Sequence, residues 1–159
     1  EQTPLKLEFD ENDVDLVAYN RTREEPVAAD GGEELERIVN EGISLASVGT
    51  VHDIGMGFKA YPYSHLALQR DKMQLRVVHG DPKKAARKLA RNPLKLRKGT
   101  YAGKHLSDFF VSKIKLLPGS SKSDDGEIAG DIVPNILSFE CRLTDIEIPV
   151  VDWRNVKSQ

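Results

Sequence analysis

Residues 72–98 read KMQLRVVHGDPKKAARKLARNPLKLRK and join a clear strand pattern to a clear helix pattern. In the first part, Met73, Leu75 and Val77 alternate with polar residues. Successive side chains of a strand point to opposite faces, so this alternation predicts a strand with one face in contact with water. The second part predicts a helix, so the stretch indicates a fold that contains both kinds of element.

The helix predicted after this strand has recognisable boundaries. Asp81 can cap its start, because the carboxylate accepts hydrogen bonds from free backbone N–H groups, and Pro82 suits the first helical position. Asn92 and Pro93 are expected to end it. At 100° per residue, its basic side chains fall within one arc of about 140°. The basic arc contains Lys83, Lys84, Arg87, Lys88 and Arg91, and the opposite side contains Ala85, Ala86, Leu89 and Ala90.

This helix and the residues after it form a candidate binding surface. Eight Lys and Arg residues lie within residues 81–98, and segment 94–104 is predicted to be a strand end or loop that continues the surface. Long cationic side chains neutralise phosphates, and a nearby tyrosine can stack on an unpaired base. The candidate nucleic-acid-binding residues are Lys83, Lys84, Arg87, Lys88, Arg91, Lys95, Arg97, Lys98, Tyr101 and Lys104.

The net charge of −2 conceals a strong segregation of charge along the chain. Residues 1–53 hold 14 Asp and Glu against 4 Lys and Arg, whereas residues 70–104 hold 12 Lys and Arg against 2 Asp. Two copies can therefore associate as a homo-oligomer, with the acidic region of one against the basic region of the next. The acidic region can also neutralise the basic one within a single molecule.

Length and composition indicate one folded domain. The chain has 159 residues, 39% of them hydrophobic and 30% charged, which is enough apolar sequence for a real core. We predict an α+β fold over residues 1–159, a single compact domain of mostly antiparallel β-sheet with two or three short helices. The sequence begins with Glu1 rather than Met, which is compatible with a fragment of a longer chain.

Three other segments give definite expectations. The alternation around residues 5–9 and 14–18 predicts two strands that form an opening hairpin. Residues 105–117 carry apolar side chains at helical spacing, and we expect a helix there, although their β-branched and aromatic content would also suit a strand. Residues 119–131 are rich in Ser, Asp and Gly and predict a flexible surface loop.

Recognisable catalytic and metal-binding patterns are lacking. The four histidines have no helical pairing and no cysteine cluster beside them, so we expect neither a metal site nor a cofactor. Cys141 alternates with apolar residues and is expected to be a packed thiol rather than a nucleophile. We assign no catalytic residues and consider the chain less suited to an enzyme, although a site built from scattered residues remains an alternative.

The basic surface therefore leads to the functional hypothesis. We expect a non-enzymatic nucleic-acid-binding domain, for RNA ahead of DNA, that uses the basic helix and the adjoining segment. The alternative is a self-assembling structural protein of the coat, matrix or scaffold type, and a merely solvated basic face remains open. An anionic membrane surface is a less favoured partner, and no transmembrane segment is expected. The single cysteine fits a reducing, intracellular compartment.

Overall fold

A computed structural model describes residues 6–20, 25–53, 58–101, 103–117, 124–128, 131–136 and 138–144. Within these ranges the strands and helices follow in a mixed order, and a 3₁₀ turn occupies Glu11–Asp13. The strands are β1 Lys6–Glu8, β2 Asp15–Asn20, β3 Glu25–Asp30, β4 Ile43–Gly49, β5 Met73–His79, β6 Leu106–Val111, β7 Lys113–Leu117, β8 Asp124–Ile128, β9 Asp131–Ile136 and β10 Phe139–Arg142. The helices are α1 Gly32–Glu41, α2 Ser64–Leu68, α3 Pro82–Ala90 and α4 Pro93–Arg97.

The strands form antiparallel sheets. A five-stranded sheet has the order β3-β2-β6-β5-β4, a three-stranded sheet has the order β1-β7-β10, and β8 pairs with β9. Every pairing is antiparallel. The predicted α+β class with mostly antiparallel sheet is confirmed, although four α-helices are present in the described ranges where two or three were expected.

One side of the five-stranded sheet, here named the α1 face, carries the largest core cluster. Leu75 and Val77 of β5 and Phe109 of β6 are fully buried there. Helix α1 covers them with Leu35 and Ile38, which are also fully buried. The three-stranded sheet packs against the same cluster through the buried side chains of Leu7 and Ile114.

The opposite side of the sheet, here named the α3 face, is covered by the short helices. Val78 of β5 and Leu106 of β6 pack against Ala85 of α3, and Phe110 packs against Ala67 of α2. The prediction of a water-exposed face on β5 is therefore wrong: all its residues are buried except Arg76, which is partly buried. Helices cover this face, so the polar residues of β5 must find partners inside the protein.

Those partners are found in a buried network at the centre of the α3 face. Asp108 lies directly opposite Arg76 in the β5–β6 register and accepts two hydrogen bonds from its guanidinium, at 2.8 and 3.2 Å. The Gln74 amide donates to the same carboxylate at 2.7 Å. The Gln74 oxygen in turn accepts the backbone N–H of Tyr63 at 2.8 Å, so the network joins two strands to the segment that begins α2.

The predicted opening hairpin is wrong. β1 pairs with β7, whereas β2 pairs with β3 and β6 in the other sheet. Between them the 3₁₀ turn carries the chain from one sheet to the other, and the Asp10 side chain caps this turn by accepting the Asn12 backbone N–H at 3.0 Å. Alternation identified the strands, but it carries no information on which strand each one pairs with.

The helix expected at residues 105–117 is also wrong, because this segment forms β6 and β7. Its apolar residues occur on both sides of β6, since both faces of the sheet are covered, and this two-sided pattern imitates helical spacing. Ser112, between the strands, donates its backbone N–H to Asp13 Oδ2 at 2.9 Å and its hydroxyl to the same oxygen. The contact holds the chain where it leaves one sheet and enters the other.

The loop expected at residues 119–131 contains regular structure in its described part. Asp124–Ile128 is strand β8, which pairs with β9 from Asp131 onward, so a hairpin arm occupies that part of the segment. Residues 119–123 and 129–130 lie outside the described residues.

Replacing Phe109 by Ala should lower the free energy of unfolding by about 3 to 5 kcal/mol, because it removes a fully buried ring from the main cluster. Urea denaturation followed by circular dichroism measures this cost. Phe139→Ala is the matched control: its ring is only partly buried on β10, so its cost should be clearly smaller. Equal costs would contradict this placement of the core.

Replacing Arg76 by Met should cost about 3 to 5 kcal/mol, because the Asp108 carboxylate then stays buried without its countercharge. The Arg76→Met/Asp108→Asn double variant should be more stable than Arg76→Met alone, since the amide is neutral and can still accept the Gln74 hydrogen bond. Urea denaturation of both variants provides the test. A double variant that is less stable than Arg76→Met would argue against an unpaired charge as the cause.

Candidate nucleic-acid interface

Helix α3 begins directly after β5, as the sequence predicts. Asp81 Oδ1 accepts the backbone N–H of Lys84 at 2.9 Å, and Pro82 occupies the first turn. This hydrogen bond, together with the Lys84 charge, lowers the pKa of Asp81. Gly80 makes the sharp connection from strand to helix, and its φ of +78° is a conformation that glycine adopts without strain.

The apolar side of α3 is narrower than the sequence suggests. Ala85 is fully buried between Val78 and Leu106, and Leu89 is partly buried beside them. Ala86 and Ala90 are exposed. A stripe of small residues lets the helix lie close to the sheet, and most of its circumference remains in solvent.

A second short helix continues the surface. The sequence predicted a strand end or loop after Asn92, but Pro93–Arg97 forms α4. Leu96 packs into the cluster that holds α3, while Arg97 accepts the backbone N–H of Lys59 through its carbonyl oxygen at 3.0 Å. Proline ended the first helix as predicted, but it is also favoured at the first position of a new helix.

The two helices expose their cations to solvent. All eight basic side chains of α3, α4 and their immediate ends are exposed, and together they are named here the basic surface. Apart from Arg97, they have one carboxylate within 4.0 Å among the described residues, the Asp81 cap, at 3.8 Å from the Lys84 ammonium group. The basic surface consists of Lys83, Lys84, Arg87, Lys88, Arg91, Lys95, Arg97 and Lys98.

The two remaining candidate residues lie at the border of this surface. Tyr101 is partly buried, packs into the cluster beneath α3 and α4, and lies against Gly103, where a Cβ would collide with its ring. Only part of the ring is therefore open to a base. Lys104 is exposed in the turn before β6, next to His105, whose ring lies against Gly80 at the start of α3.

Other cations of the predicted basic region are paired within the molecule. Lys72 lies 3.5 Å from Asp13 and 3.3 Å from Asp15, and Arg70 lies 3.4 Å from Asp15. Arg76 is bound to Asp108 inside the protein. The acidic first third therefore neutralises the start of region 70–104 but, among the described residues, makes no ion pair with α3 or with the cations of α4 other than Arg97.

Position explains this difference. The acidic helix α1 packs on the α1 face through Leu35 and Ile38, whereas α3 packs on the opposite side of the five-stranded sheet through Ala85. The sheet lies between the two charged helices. Apart from Arg97, the basic surface accordingly makes no ion pair with α1 among the described residues.

A buried histidine holds the strand end from which α3 starts. His79 is 5% exposed, and its Nε2 lies 3.0 Å from the Ser107 hydroxyl. The ring of His105 donates from Nδ1 to the His79 carbonyl oxygen at 3.2 Å. Burial lowers the pKa of His79, and nearby Arg37 and His105 add to this effect, which outweighs the opposing charges of Glu41 and Glu34. His79 is thus neutral near pH 7.

A cavity and the Cys141 thiol also lie within the described residues. A cavity of about 260 Å³ opens on the α3 face near α2, and its charged lining residue is Arg70, which is paired with Asp15. Burial raises the pKa of Cys141, which keeps it a thiol. No three His, Cys, Asp or Glu side chains within the described ranges come together to hold a metal ion. None of the helices there is long and apolar enough to cross a membrane.

Stability should fall as the pH drops below about 6.5, the ordinary value for histidine, because His79 binds a proton more readily in the unfolded chain than in the fold. Urea denaturation between about pH 8 and pH 5 measures this dependence. His79→Gln should flatten the decline, whereas the exposed control His65→Gln should keep it. A decline that persists unchanged in His79→Gln would contradict this assignment.

Comparison with protein-family models, with curated proteins and with solved structures found no match for this chain. We therefore infer its function from the charge, exposure and position of its own residues.

Proposed function

We propose that the protein is a non-enzymatic nucleic-acid-binding domain and that the basic surface contacts the phosphate backbone. The observation that carries this proposal is the exposure of eight cationic side chains on two consecutive helices. Apart from Arg97, their one carboxylate neighbour within 4.0 Å among the described residues is Asp81. Charged groups that serve the fold are paired in this molecule, as Lys72 and Arg76 are. Apart from Arg97, the exposed cations of the basic surface can instead meet an external anion.

The physical basis is the release of counterions. Each phosphate neutralised by Lys or Arg releases condensed cations, so affinity falls as salt rises. The arc of five cations on α3 and the three that follow on α4 provide several such contacts on one side of the molecule. We expect RNA rather than DNA as the ligand, because the exposed part of the Tyr101 ring can stack on an unpaired base and RNA loops contain such bases.

A second candidate function is self-assembly through charge. The exposed carboxylates of α1, Glu33 and Glu36, lie on the other side of the sheet from the basic surface. A head-to-tail contact between copies can join these two surfaces, which belong to different core clusters of one molecule. This would suit a coat, matrix or scaffold protein, and such an assembly should dissolve as salt rises.

Binding of labelled single-stranded RNA and of a DNA duplex, measured by fluorescence anisotropy across a salt series, tests the first candidate. Lys84→Glu/Lys88→Glu should weaken duplex binding and reduce the slope of log affinity against log salt by about 2, since each lost phosphate contact contributes about 0.9. The fold should persist, because both side chains are exposed.

The matched control is Lys6→Glu/Lys113→Glu, which makes the same change in net charge on the three-stranded sheet, on the α1 side of the molecule. It should leave most of the affinity intact. Equal loss in both double variants would indicate an effect of net charge alone and would contradict the assigned surface. Absence of binding, with light scattering that shows large assemblies only at low salt, would favour self-assembly instead.

A further inference from the structure

Strand β4 is an edge strand of the five-stranded sheet that the described residues form. It pairs with β5 on one side only, and no other described strand lies beside it. Within the described ranges, residues 43–49 make no backbone hydrogen bond on their outer side. An open strand edge presents a row of free N–H and C=O groups that can pair with another strand.

The two edge strands of this sheet, β3 and β4, differ in the sequence features that oppose pairing with another strand. The other edge, β3, has the sequence EPVAAD, with a proline and an acidic residue at each end. Proline removes a donor, and charged residues oppose the approach of another strand. Strand β4 has the sequence ISLASVG over seven residues, with neither a charge nor a proline. Its one irregularity is a bulge between Ile43 and Leu45, so the regular part of this edge is Leu45–Gly49, without the charges and proline of β3.

Exposed apolar side chains accompany the β4 edge. Leu45 is 56% exposed, and Val51, two residues beyond the strand, is 57% exposed. Leu45 lies opposite Val78, so it is on the α3 face, yet Val78 is buried while Leu45 remains in solvent. A neighbouring strand on the open side would cover Leu45 and would satisfy the free backbone groups at the same time.

We propose that β4 is the interface with a second copy of this chain, whose β4 pairs with it in antiparallel orientation. Antiparallel pairing of two identical strands has two-fold symmetry, so one sequence provides both sides of the contact. Because β4 is uncharged, no like charges come to lie opposite each other. The result joins the two five-stranded sheets edge to edge into one continuous sheet.

This dimer has a defined consequence for the basic surfaces. The two-fold axis of an in-plane antiparallel pair is perpendicular to the sheet, so the α3 faces of both copies lie on the same side. Both basic surfaces then face the same direction. Where the proposed nucleic-acid binding holds, and on that assumption alone, one long nucleic acid can contact both copies and bind more tightly than to one.

The oligomeric state of the full chain, without nucleic acid, tests the dimer. Sedimentation equilibrium should give twice the chain mass for the wild type, at low salt and at high salt alike, because backbone pairing and apolar contact are not screened. Leu45→Lys should give the monomer mass over the same concentrations, since it places two ammonium groups at the pairing edge. Leu68→Lys is the matched control: Leu68 is 44% exposed on α2, and this variant should remain a dimer.

Hydrogen exchange of the wild type keeps the test decisive where Leu45→Lys does not fold. Amides of β4 should become more protected as protein concentration rises, whereas those of β3 should not. A monomer at all concentrations, a dimer that dissolves in high salt, or β4 protection that is independent of concentration would overturn the inference. Because nucleic acid is left out, failure here leaves the proposed function standing, and failure to bind nucleic acid leaves the dimer standing.

Discussion

The α3 face depends on the hydrogen bonds and the ion pair that the buried Asp108 carboxylate makes with Arg76 and Gln74. This carboxylate lies opposite Arg76 across β5 and β6, accepts both arms of that guanidinium and also accepts the Gln74 amide. A buried charge is tolerated only when it is paired and fully hydrogen-bonded, so a shifted strand register would leave it unsatisfied. Through Gln74 the network also binds the Tyr63 backbone, which fixes the start of α2 on the same face.

Coverage of both sides of the sheet explains where the charges of the basic region lie. Side chains that point toward the sheet must be paired, as Arg76 is with Asp108. Cations on α3 and α4 avoid this requirement, because these helices contact the sheet only through narrow stripes that include Ala85 and Leu96. The fold thus divides one basic stretch into an internal part that is paired within the protein and an external part that is exposed to solvent.

The two proposed contacts use different parts of this architecture. The basic surface lies on helices that cover the α3 face, whereas the β4 edge lies in the plane of the sheet. The two contacts therefore use different residues of the chain. The two contacts also differ in their response to salt, because binding to phosphate weakens as ionic strength rises and strand pairing does not.

Local sequence patterns were sufficient for the elements that they directly describe. The alternation of Met73, Leu75 and Val77 predicted β5, and the Asp81 cap with Pro82 predicted the start of α3. The cationic arc of α3 was predictable for the same reason, since helical spacing fixes which residues share a face. By itself, the sequence therefore determined the α+β class, this strand and this helix, and the basic character of its outer side.

Only the tertiary structure decided which strands pair and which faces of the sheet are covered by helices. Both depend on contacts between residues that are distant in sequence. The pairing of β1 with β7 joins segments about 110 residues apart, and no local pattern specifies such a partner. The strands β6 and β7 were missed because burial on both sides of β6 imitates helical spacing. Likewise, only the fold shows that Lys72 meets Asp13 and Asp15 and that α1 and α3 lie on opposite sides of one sheet. Which cations are paired inside the protein and which are exposed on its surface is a property of that arrangement.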